Sequence, residues 1–207
     1  ESQEFTYSRF GNPTRKALEE TIACLEFAKH GYAFSSGMAA ISAVLLNFSH
    51  GDHVVLCKDI YGGAYQLVTE MFPKYGIEYT FVDETDLSSW EKAIKENTRC
   101  FYIETPSNPL LTITDIKGVV ELAKQHNILT VIDNTFMTPI YQNPIKLGVD
   151  IVIHSATKFI NGHSDVIAGM VVTNNDRIAD TLSKTQKMFG SMLDPHNCWL
   201  VLRGIKT

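Results

Sequence analysis

The stretch Asp150-Ile-Val-Ile-His-Ser-Ala-Thr-Lys158 is an apolar run that stops at two hydroxyl side chains and a lysine. A second apolar run, Ile128-Leu-Thr-Val-Ile132, is followed directly by Asp133. Short apolar runs that end abruptly at polar residues are typical of buried strands. In a sheet of parallel strands, ligands gather beyond the carboxyl ends, so we expect Asp133 and Lys158 to face one crevice.

The same alternation of strand-like and helix-like segments continues along the chain. Further strands are predicted over residues 54–57, 78–82, 100–104 and 168–173. Helices are predicted over residues 14–28, 63–72, 87–95, 116–126 and 176–189. Strands that alternate with helices at this spacing are usually joined as parallel neighbours by helical crossovers. The sequence therefore predicts an α/β fold with a mostly parallel, doubly wound sheet.

A lysine and a carboxylate at one crevice point to a particular cofactor. Partial loss of hydration at the edge of a core favours a neutral lysine amine, which can form a Schiff base. Pyridoxal phosphate (PLP) needs a lysine to hold its aldehyde and an acid to keep its pyridine nitrogen protonated. Lys158 and Asp133 are the candidates for these two tasks.

Small residues before a helix-forming run offer a place for the phosphate of such a cofactor. Residues 33–40 read Ala-Phe-Ser-Ser-Gly-Met-Ala-Ala, and an apolar helical pattern follows them. The first amides of a helix are unpaired and its dipole is positive there, which suits a phosphate dianion. Ser155 and Thr157 lie beside the lysine and add candidate hydroxyl donors.

Each candidate has a purely structural alternative when it is considered alone. Tyr61 stands before two glycines, as in an ordinary turn, and Asn108 lies in a loop shaped by two prolines. Arg9 is of a type that is usually solvated at the surface. Asp133 is also suited to cap a helix, and Ser36 to belong to a plain loop before one. These alternatives must explain each feature separately, whereas one cofactor explains them together.

Several linked motifs occur in the chain in a fixed order. They are Tyr7-Ser-Arg9-Phe-Gly-Asn-Pro-Thr14, Ser35-Ser-Gly-Met38, Asp59-Ile-Tyr61-Gly-Gly63, Glu104-Thr-Pro-Ser-Asn-Pro109, Asp133-Asn-Thr-Phe136 and Ser155-Ala-Thr-Lys158, followed by Asn161-Gly-His-Ser-Asp165. With these motifs, the sequence resembles the Cys/Met metabolism family of PLP-dependent enzymes. That family includes cystathionine γ-lyase, cystathionine β-lyase, cystathionine γ-synthase and methionine γ-lyase. The resemblance implies the large domain of a fold-type I PLP-dependent transferase.

The resemblance implies three catalytic residues that also bind the cofactor. Lys158 would hold the cofactor aldehyde and then move protons. Asp133 would pair with the pyridinium nitrogen. Tyr61 would stack on the ring and act as an acid or base near the substrate amine.

The remaining implied cofactor contacts fall into two groups. Phosphate would be bound by the backbone amides of Gly37 and Met38 and by the hydroxyls of Ser155 and Thr157. Asn108 would lie near the phenolic oxygen of the cofactor. Ser36 and Thr135 complete the set of cofactor-binding residues that we predict within one subunit.

The resemblance also implies an oligomer with shared sites. Tyr7 and Arg9 resemble a pair that reaches the phosphate of a neighbouring subunit. Residues 1–14 would then be an N-terminal segment that contacts this neighbour, and residues 15–207 the PLP-binding large domain. We expect a homotetramer, built as a dimer of dimers. Related proteins continue into a C-terminal α+β domain that is missing from this sequence and carries the arginine for the substrate carboxylate.

For activity, the resemblance implies cleavage of a carbon–sulfur bond in an amino-acid substrate. We expect a cystathionine lyase acting by β- or γ-elimination, with cysteine desulfhydration as a side reaction. Gly63 stands where methionine γ-lyases typically carry a cysteine, and Gln66 where several cystathionine-cleaving relatives carry an arginine. Two alternatives stay open: a γ-replacement transferase of the cystathionine γ-synthase type, and a catalytically inactive cofactor-binding fragment.

Composition agrees with an enzyme domain and argues against other classes. With 44% hydrophobic and 20% charged residues among 207, the chain can bury a full core, and its size favours one α/β unit. A net charge of -5 without a basic cluster gives no reason to expect nucleic-acid binding, and no apolar run approaches membrane-spanning length. No CxxC or HExxH pattern occurs, so we expect no metal site.

Cysteine and histidine usage supports the same class. Four widely spaced cysteines and no recognisable secretory leader predict a reduced, cytoplasmic protein. His154 abuts the lysine stretch, but a histidine that ends a strand is expected to be packed or hydrogen-bonded. His163 is expected to shape the loop beside the site.

Overall fold

The computed structural model of the protein describes residues 5–207, so residues 1–4 of the predicted N-terminal segment lie outside it. Within the described range the chain forms one seven-stranded sheet. The strands are β1 His30–Phe34, β2 His53–Cys57, β3 Glu78–Val82, β4 Thr98–Glu104, β5 Leu129–Asp133, β6 Ile151–Ser155 and β7 Gly169–Thr173. Their order across the sheet is β1-β7-β6-β5-β4-β2-β3.

The sheet is mostly parallel, which confirms the predicted fold class. The strands from β6 through β5, β4 and β2 to β3 pair in parallel. β7 runs antiparallel to both of its neighbours, β6 and β1. Residues 156–168, between β6 and β7, contain turns and no helix. Because a parallel connection needs a crossover, this short return reverses the direction of β7.

Helices connect most of the strands. They are α1 Pro13–Glu26, α2 Gly37–Leu45, α3 Gly62–Tyr75, α4 Leu87–Lys92, α5 Ile116–Gln125, α6 Thr138–Tyr141, α7 Asp176–Phe189 and α8 Pro195–Gly204, with a 3-10 helix at Pro144–Leu147. α1 begins one residue before the prediction, where the Asn12 side chain accepts hydrogen bonds from the amides of Thr14 and Arg15. It ends two residues early, because Phe27 adopts a left-handed conformation with φ 60°.

The core lies on both sides of the central strands. Phe101, Ile103, Ile132 and Val152 are completely buried. α2 packs against β6 and β7, while α5 packs against β4 and β5. Strands covered on both faces are apolar without alternation, which is why their sequences read as continuous apolar runs. Among residues 5–207, no helix combines the length and the apolar character that a bilayer crossing requires.

The ends of three neighbouring parallel strands define the functional edge of the sheet. β4 ends at Glu104 and β5 at Asp133, and these two residues are paired in register. Asp133 also pairs with Ile153 of β6, which ends at Ser155. The sheet therefore brings two carboxylates and a hydroxyl to one edge, with Lys158 in the turn that follows β6.

Candidate active site

A cleft of about 310 Å³ opens at the carboxyl ends of these strands. All of the predicted site residues line it except Tyr7 and Arg9. The lining residues are Ser36, Gly37, Met38, Ile41, Tyr61, Glu104, Pro106, Asn108, Asp133, Thr135, Phe136, Ser155, Thr157, Lys158 and Ile167. Within the part of the chain that the structure describes, no cluster of three or more His, Cys, Asp or Glu side chains is arranged to hold a metal ion.

Asp133 presents a buried carboxylate to the cleft. Its Oδ1 atom accepts hydrogen bonds from the backbone amide of Thr135 at 3.0 Å and from the Thr135 hydroxyl at 2.5 Å. Among residues 5–207 no donor reaches the other oxygen, Oδ2. Burial raises the pKa of the Asp133 carboxyl, and the hydrogen bonds from Thr135 oppose that shift. A cationic group placed in the cleft would favour the ionised carboxylate.

Thr135 links the ends of two strands through its side chain. The hydroxyl that donates to Asp133 also accepts a hydrogen bond from the backbone amide of Ser155, at 2.8 Å. The end of β5 is thus tied to the end of β6, and the orientation of the Asp133 carboxylate is fixed by the strand that precedes Lys158. The alternative of Asp133 as an N-cap is not found, since its side chain closes a local turn instead.

Lys158 lies in a turn just beyond β6. Its backbone amide donates to the Ser155 carbonyl at 3.1 Å, and its carbonyl accepts from Gly162 at 2.8 Å. The side chain is exposed, so the partial burial expected from the sequence is wrong for this chain. Within the described residues its Nζ atom has no hydrogen-bond or ion-pair partner, and it lines the cleft together with Asp133. The amine is therefore free to react with an incoming aldehyde.

The start of α2 forms an anion cradle beside the lysine. Ser36 caps the helix, and its hydroxyl accepts from the Ala39 amide at 2.9 Å. The amides of Gly37 and Met38 have no hydrogen-bond partner among the described residues. Unpaired amides at the start of a helix attract phosphate, so these two amides are available for the role predicted from the sequence, which stays a prediction.

Two glycines allow this loop to sit against the sheet. A Cβ atom on Gly37 would lie 2.9 Å from the Ser155 Cβ, and one on Gly169 would lie 2.1 Å from the Ser36 carbonyl oxygen. Neither distance is compatible with a side chain unless the backbone shifts. The cradle is therefore seated directly on the ends of β6 and β7, with the Ser155 hydroxyl next to the unpaired amides.

Thr157 is more constrained than the sequence suggested. Its hydroxyl donates to the Ala168 carbonyl at 3.2 Å and accepts from the Ala168 amide at 3.0 Å. These bonds hold the turn that carries Lys158 against the start of β7. The single hydroxyl proton is thus engaged, whereas among residues 5–207 the Ser155 hydroxyl has no hydrogen-bond partner.

Glu104 is a lining residue that the sequence analysis did not select. It is 6% exposed, and its two oxygens accept hydrogen bonds from separate loops: Oε2 from the Tyr61 amide at 2.8 Å, and Oε1 from the Asn108 amide at 3.2 Å. Burial, and then the charge of the adjacent Asp133, raises the pKa of Glu104 to about 8. Its position at the end of a predicted strand, in the same motif as Asn108, was the available signal.

Tyr7 and Arg9 lie away from the cleft. Arg9 donates to the Lys187 carbonyl at 3.0 Å and stacks over the rings of Tyr7 and Phe10. Tyr7 is 55% exposed. Their predicted role at a neighbouring subunit stays a prediction.

The two histidines next to the site have structural partners. His154 is completely buried, with Nε2 2.6 Å from Oε1 of the equally buried Glu26. The same Glu26 oxygen accepts from the Asn134 side chain at 2.9 Å. His163 Nδ1 donates to the Asn161 carbonyl at 2.6 Å within its loop. Both contacts match the structural roles expected from the sequence.

Comparisons with known proteins agree with this arrangement. The profile of the family described as "Cys/Met metabolism PLP-dependent enzyme" matches residues 1–207. Cystathionine beta-lyase MetC of Bacillus subtilis (strain 168) is 57% identical over 203 residues, covering 98% of this chain and 52% of the relative. Cystathionine gamma-lyase of the same organism is 52% identical over 203 residues, covering 98% of this chain and 54% of the relative.

Among solved structures, cystathionine gamma-lyase from Lactobacillus plantarum complexed with L-serine superposes with a TM-score of 0.98 at 47% sequence identity. The match covers 100% of this chain and 54% of that one. The chain thus spans about half the length of the relatives it matches. With a family profile matched from end to end and the cleft residues in the family's motifs, the chain belongs to the Cys/Met metabolism PLP-dependent enzyme family.

Proposed function

We propose that the protein is a PLP-dependent carbon–sulfur lyase that cleaves cystathionine. The products would be pyruvate or 2-oxobutyrate with ammonia and a thiol, according to whether elimination is β or γ. The observation that carries the proposal is the convergence of Lys158, Asp133 and the amide cradle of α2 in one cleft. The relatives named cystathionine beta-lyase and cystathionine gamma-lyase support the choice of substrate.

The residues of the cleft fit the chemical groups of the cofactor. When bound, PLP supplies an aldehyde and an electron-accepting pyridine ring. Lys158 Nζ, exposed and unpaired among the described residues, is the group that would bind the aldehyde. Asp133 Oδ2 would accept a hydrogen bond from the protonated ring nitrogen, while Thr135 keeps the carboxylate oriented through Oδ1.

The anionic end of the cofactor fits the start of α2. The unpaired amides of Gly37 and Met38 and the free hydroxyl of Ser155 would donate to phosphate oxygens, with the helix dipole adding to the attraction. Thr157 would contribute chiefly by holding the Lys158 turn, given its bonds to Ala168. With the cofactor bound, Lys158 would also be the group in the cleft that is available to move a proton.

We further propose that active sites are shared between subunits of a homotetramer in the cytoplasm. Support for sharing comes from Tyr7 and Arg9, which lie outside the cleft of their own chain on an exposed N-terminal segment. Free thiols at all four cysteines fit a reducing compartment.

The test combines a spectrum with product analysis. PLP is added to the purified protein, absorbance is recorded between about 300 and 500 nm, and L-cystathionine is then supplied while keto acids are assayed. We expect a band of lysine-bound PLP that changes with substrate, together with pyruvate or 2-oxobutyrate. Lys158→Ala should lose both the band and the products.

The remaining outcomes separate the other hypotheses. A band without products would contradict the lyase and favour a cofactor-binding fragment. Formation of cystathionine from cysteine and an activated homoserine ester, without cleavage of cystathionine, would favour γ-replacement. Absence of any PLP band in the unmodified protein would refute the assignment of Lys158.

A further inference from the structure

Glu104 stands where three parts of the cleft meet. It ends β4, pairs in register with Asp133, and is bonded to the loop after β2 and to the loop after β4. One carboxylate thus contacts the backbone of Tyr61 and of Asn108. From the resemblance to the family, these are the two residues predicted to lie against the cofactor ring and near its phenolic oxygen.

The Tyr61 backbone has few other anchors. Tyr61 is the residue before α3, and its side chain makes no capping hydrogen bond with that helix. Its ring is 43% exposed. The Tyr61 carbonyl accepts from the Tyr65 amide at 3.0 Å, and the Glu104 carboxyl group supplies the contact from outside the helix, since the Tyr61 amide donates to it at 2.8 Å.

The loop that carries Asn108 is held by hydrogen bonds of the preceding residue, Ser107. Ser107 is completely buried, its hydroxyl donates to Asp59, and its amide donates to the Thr112 carbonyl at 3.1 Å. The Asn108 amide itself donates to Glu104. The Glu104 carboxyl group thus also holds the backbone of Asn108, from which the Asn108 side chain extends.

A carboxyl group suits this task better than the similarly shaped amide. An ionised carboxyl group accepts on each oxygen, and hydrogen bonds from the two backbone amides favour that form, whereas a glutamine has one acceptor and an NH₂ group that cannot accept from an N–H. The carboxyl group is nevertheless unfavourable here, because it is buried beside Asp133. Its presence is explained if both backbone amides must be held at once.

We propose that Glu104 is a positioning residue for the cofactor, holding Tyr61 and Asn108 in place at the cleft through their backbone amides. The inference rests on the proposed function, since it takes PLP as the group that these two residues contact. Glu104 itself does not need to touch the cofactor. Its effect on binding is exerted through Tyr61 and Asn108.

A double-mutant cycle on PLP affinity tests this coupling. Dissociation constants are measured by absorbance titration for the unmodified protein, Glu104→Gln, Tyr61→Ala and the double variant. Loss of one backbone partner should weaken PLP binding about 5- to 100-fold in Glu104→Gln. In the Glu104→Gln background, the factor by which Tyr61→Ala raises the PLP dissociation constant should be at least about threefold smaller than in the unmodified protein.

Glu84→Gln is the matched control. Glu84 is 2% exposed and accepts from the Lys58 amide at 3.3 Å, but it does not line the cleft. It should change urea stability while leaving PLP affinity, and the cost of Tyr61→Ala, unaltered. If Glu104→Gln does not fold, Glu104→Asp replaces it, because a shorter carboxylate keeps both acceptors and should retain part of the affinity.

The outcomes distinguish this inference from the proposed function. The unmodified protein could bind PLP while the double variant weakens PLP binding by the product of the two single effects. In that case Glu104 is only a structural residue and the inference is wrong. The same holds if Tyr61→Ala has no effect on affinity. Failure of the unmodified protein to bind PLP would instead overturn the proposed function, and the inference with it.

Discussion

Gly169→Ala should displace the proposed phosphate cradle without removing any side chain that is proposed to bind the cofactor. The new Cβ atom would lie 2.1 Å from the Ser36 carbonyl oxygen, 2.6 Å from the Ser36 carbonyl carbon and 2.9 Å from the Gly37 nitrogen. Carbon atoms in favourable contact lie about 3.5 to 4.0 Å apart, so the loop must move by about 1 Å. The amides of the cradle would move with it.

The loss of stability can be estimated from the atoms that the new methyl group would contact. Overpacking a well-packed interior costs about 1 to 3 kcal/mol, and the upper end applies here because all three opposing atoms are backbone atoms. For a protein of this length, about 3 kcal/mol lowers the melting temperature by roughly 6 to 12 °C. Displacement of the Gly37 amide should also weaken PLP binding by about tenfold or more.

Urea denaturation and PLP titration measure the two effects separately. Gly62→Ala is the control, since a Cβ atom at Gly62 would have no neighbour within 4 Å and the φ of this residue is not left-handed. That change should leave stability unaltered or raise it by about 0.4 to 1 kcal/mol. If the free energy of unfolding of Gly169→Ala lies within about 0.5 kcal/mol of that of the unmodified protein, and its PLP affinity is unchanged, the cradle does not pack on β7 as described.

Three further changes test other parts of the structure. His154→Leu should lower the free energy of unfolding by about 1.5 to 3 kcal/mol in urea denaturation, because buried Glu26 loses its contact with His154 and keeps the hydrogen bond from the Asn134 side chain. Adding Glu26→Gln should recover part of this loss, and no recovery would contradict the pairing. Burial lowers the pKa of His53 to about 4, so between about pH 6.5 and 4 the unfolded state binds more protons than the folded state. The free energy of unfolding should therefore fall by about 1 to 3 kcal/mol as the pH drops through that range. His53→Gln should flatten that part of the stability profile, and an unchanged slope would count against the assignment. Mixing inactive Arg9→Ala and Lys158→Ala subunits should restore activity if sites are shared, whereas separate sites would leave the mixture inactive.

Much of the site could be predicted because its residues follow strands with simple patterns. Asp133 and Ser155 directly end apolar runs, and parallel strands bring such ends together whatever the details of packing. The cradle at Gly37 and Met38 was predictable for the same kind of reason, since the start of a helix has its own local signature. The patterns that predict these residues are local in sequence, although the cleft that they form also needs contacts between distant segments.

The features that sequence analysis missed depend on tertiary contacts or on weaker local patterns. β1 escaped notice because only three of its residues, Tyr32 to Phe34, form an apolar run, and its pairing with β7 is what makes it a strand. α8 was missed although Asp194 before Pro195 is a recognisable helix start. Lys158 was expected to be partly buried, but the turn after β6 directs it outward, and no periodicity reports the path of a turn.

The position of β1 at the end of the sheet has a consequence for synthesis of the protein. β1 pairs with β7, and the loop between β1 and α2, which carries the cradle, packs on Gly169 at the start of β7. A nascent chain on the ribosome emerges from its N-terminus, so β1 and the loop leave the exit tunnel long before their partner does. The parallel strands from β2 to β6 can assemble in the meantime, but the cradle cannot be completed. Completion of the cradle therefore waits until β7 has been synthesised, and a ribosome stalled before β7 would carry a sheet edge on which the start of α2 is not yet seated.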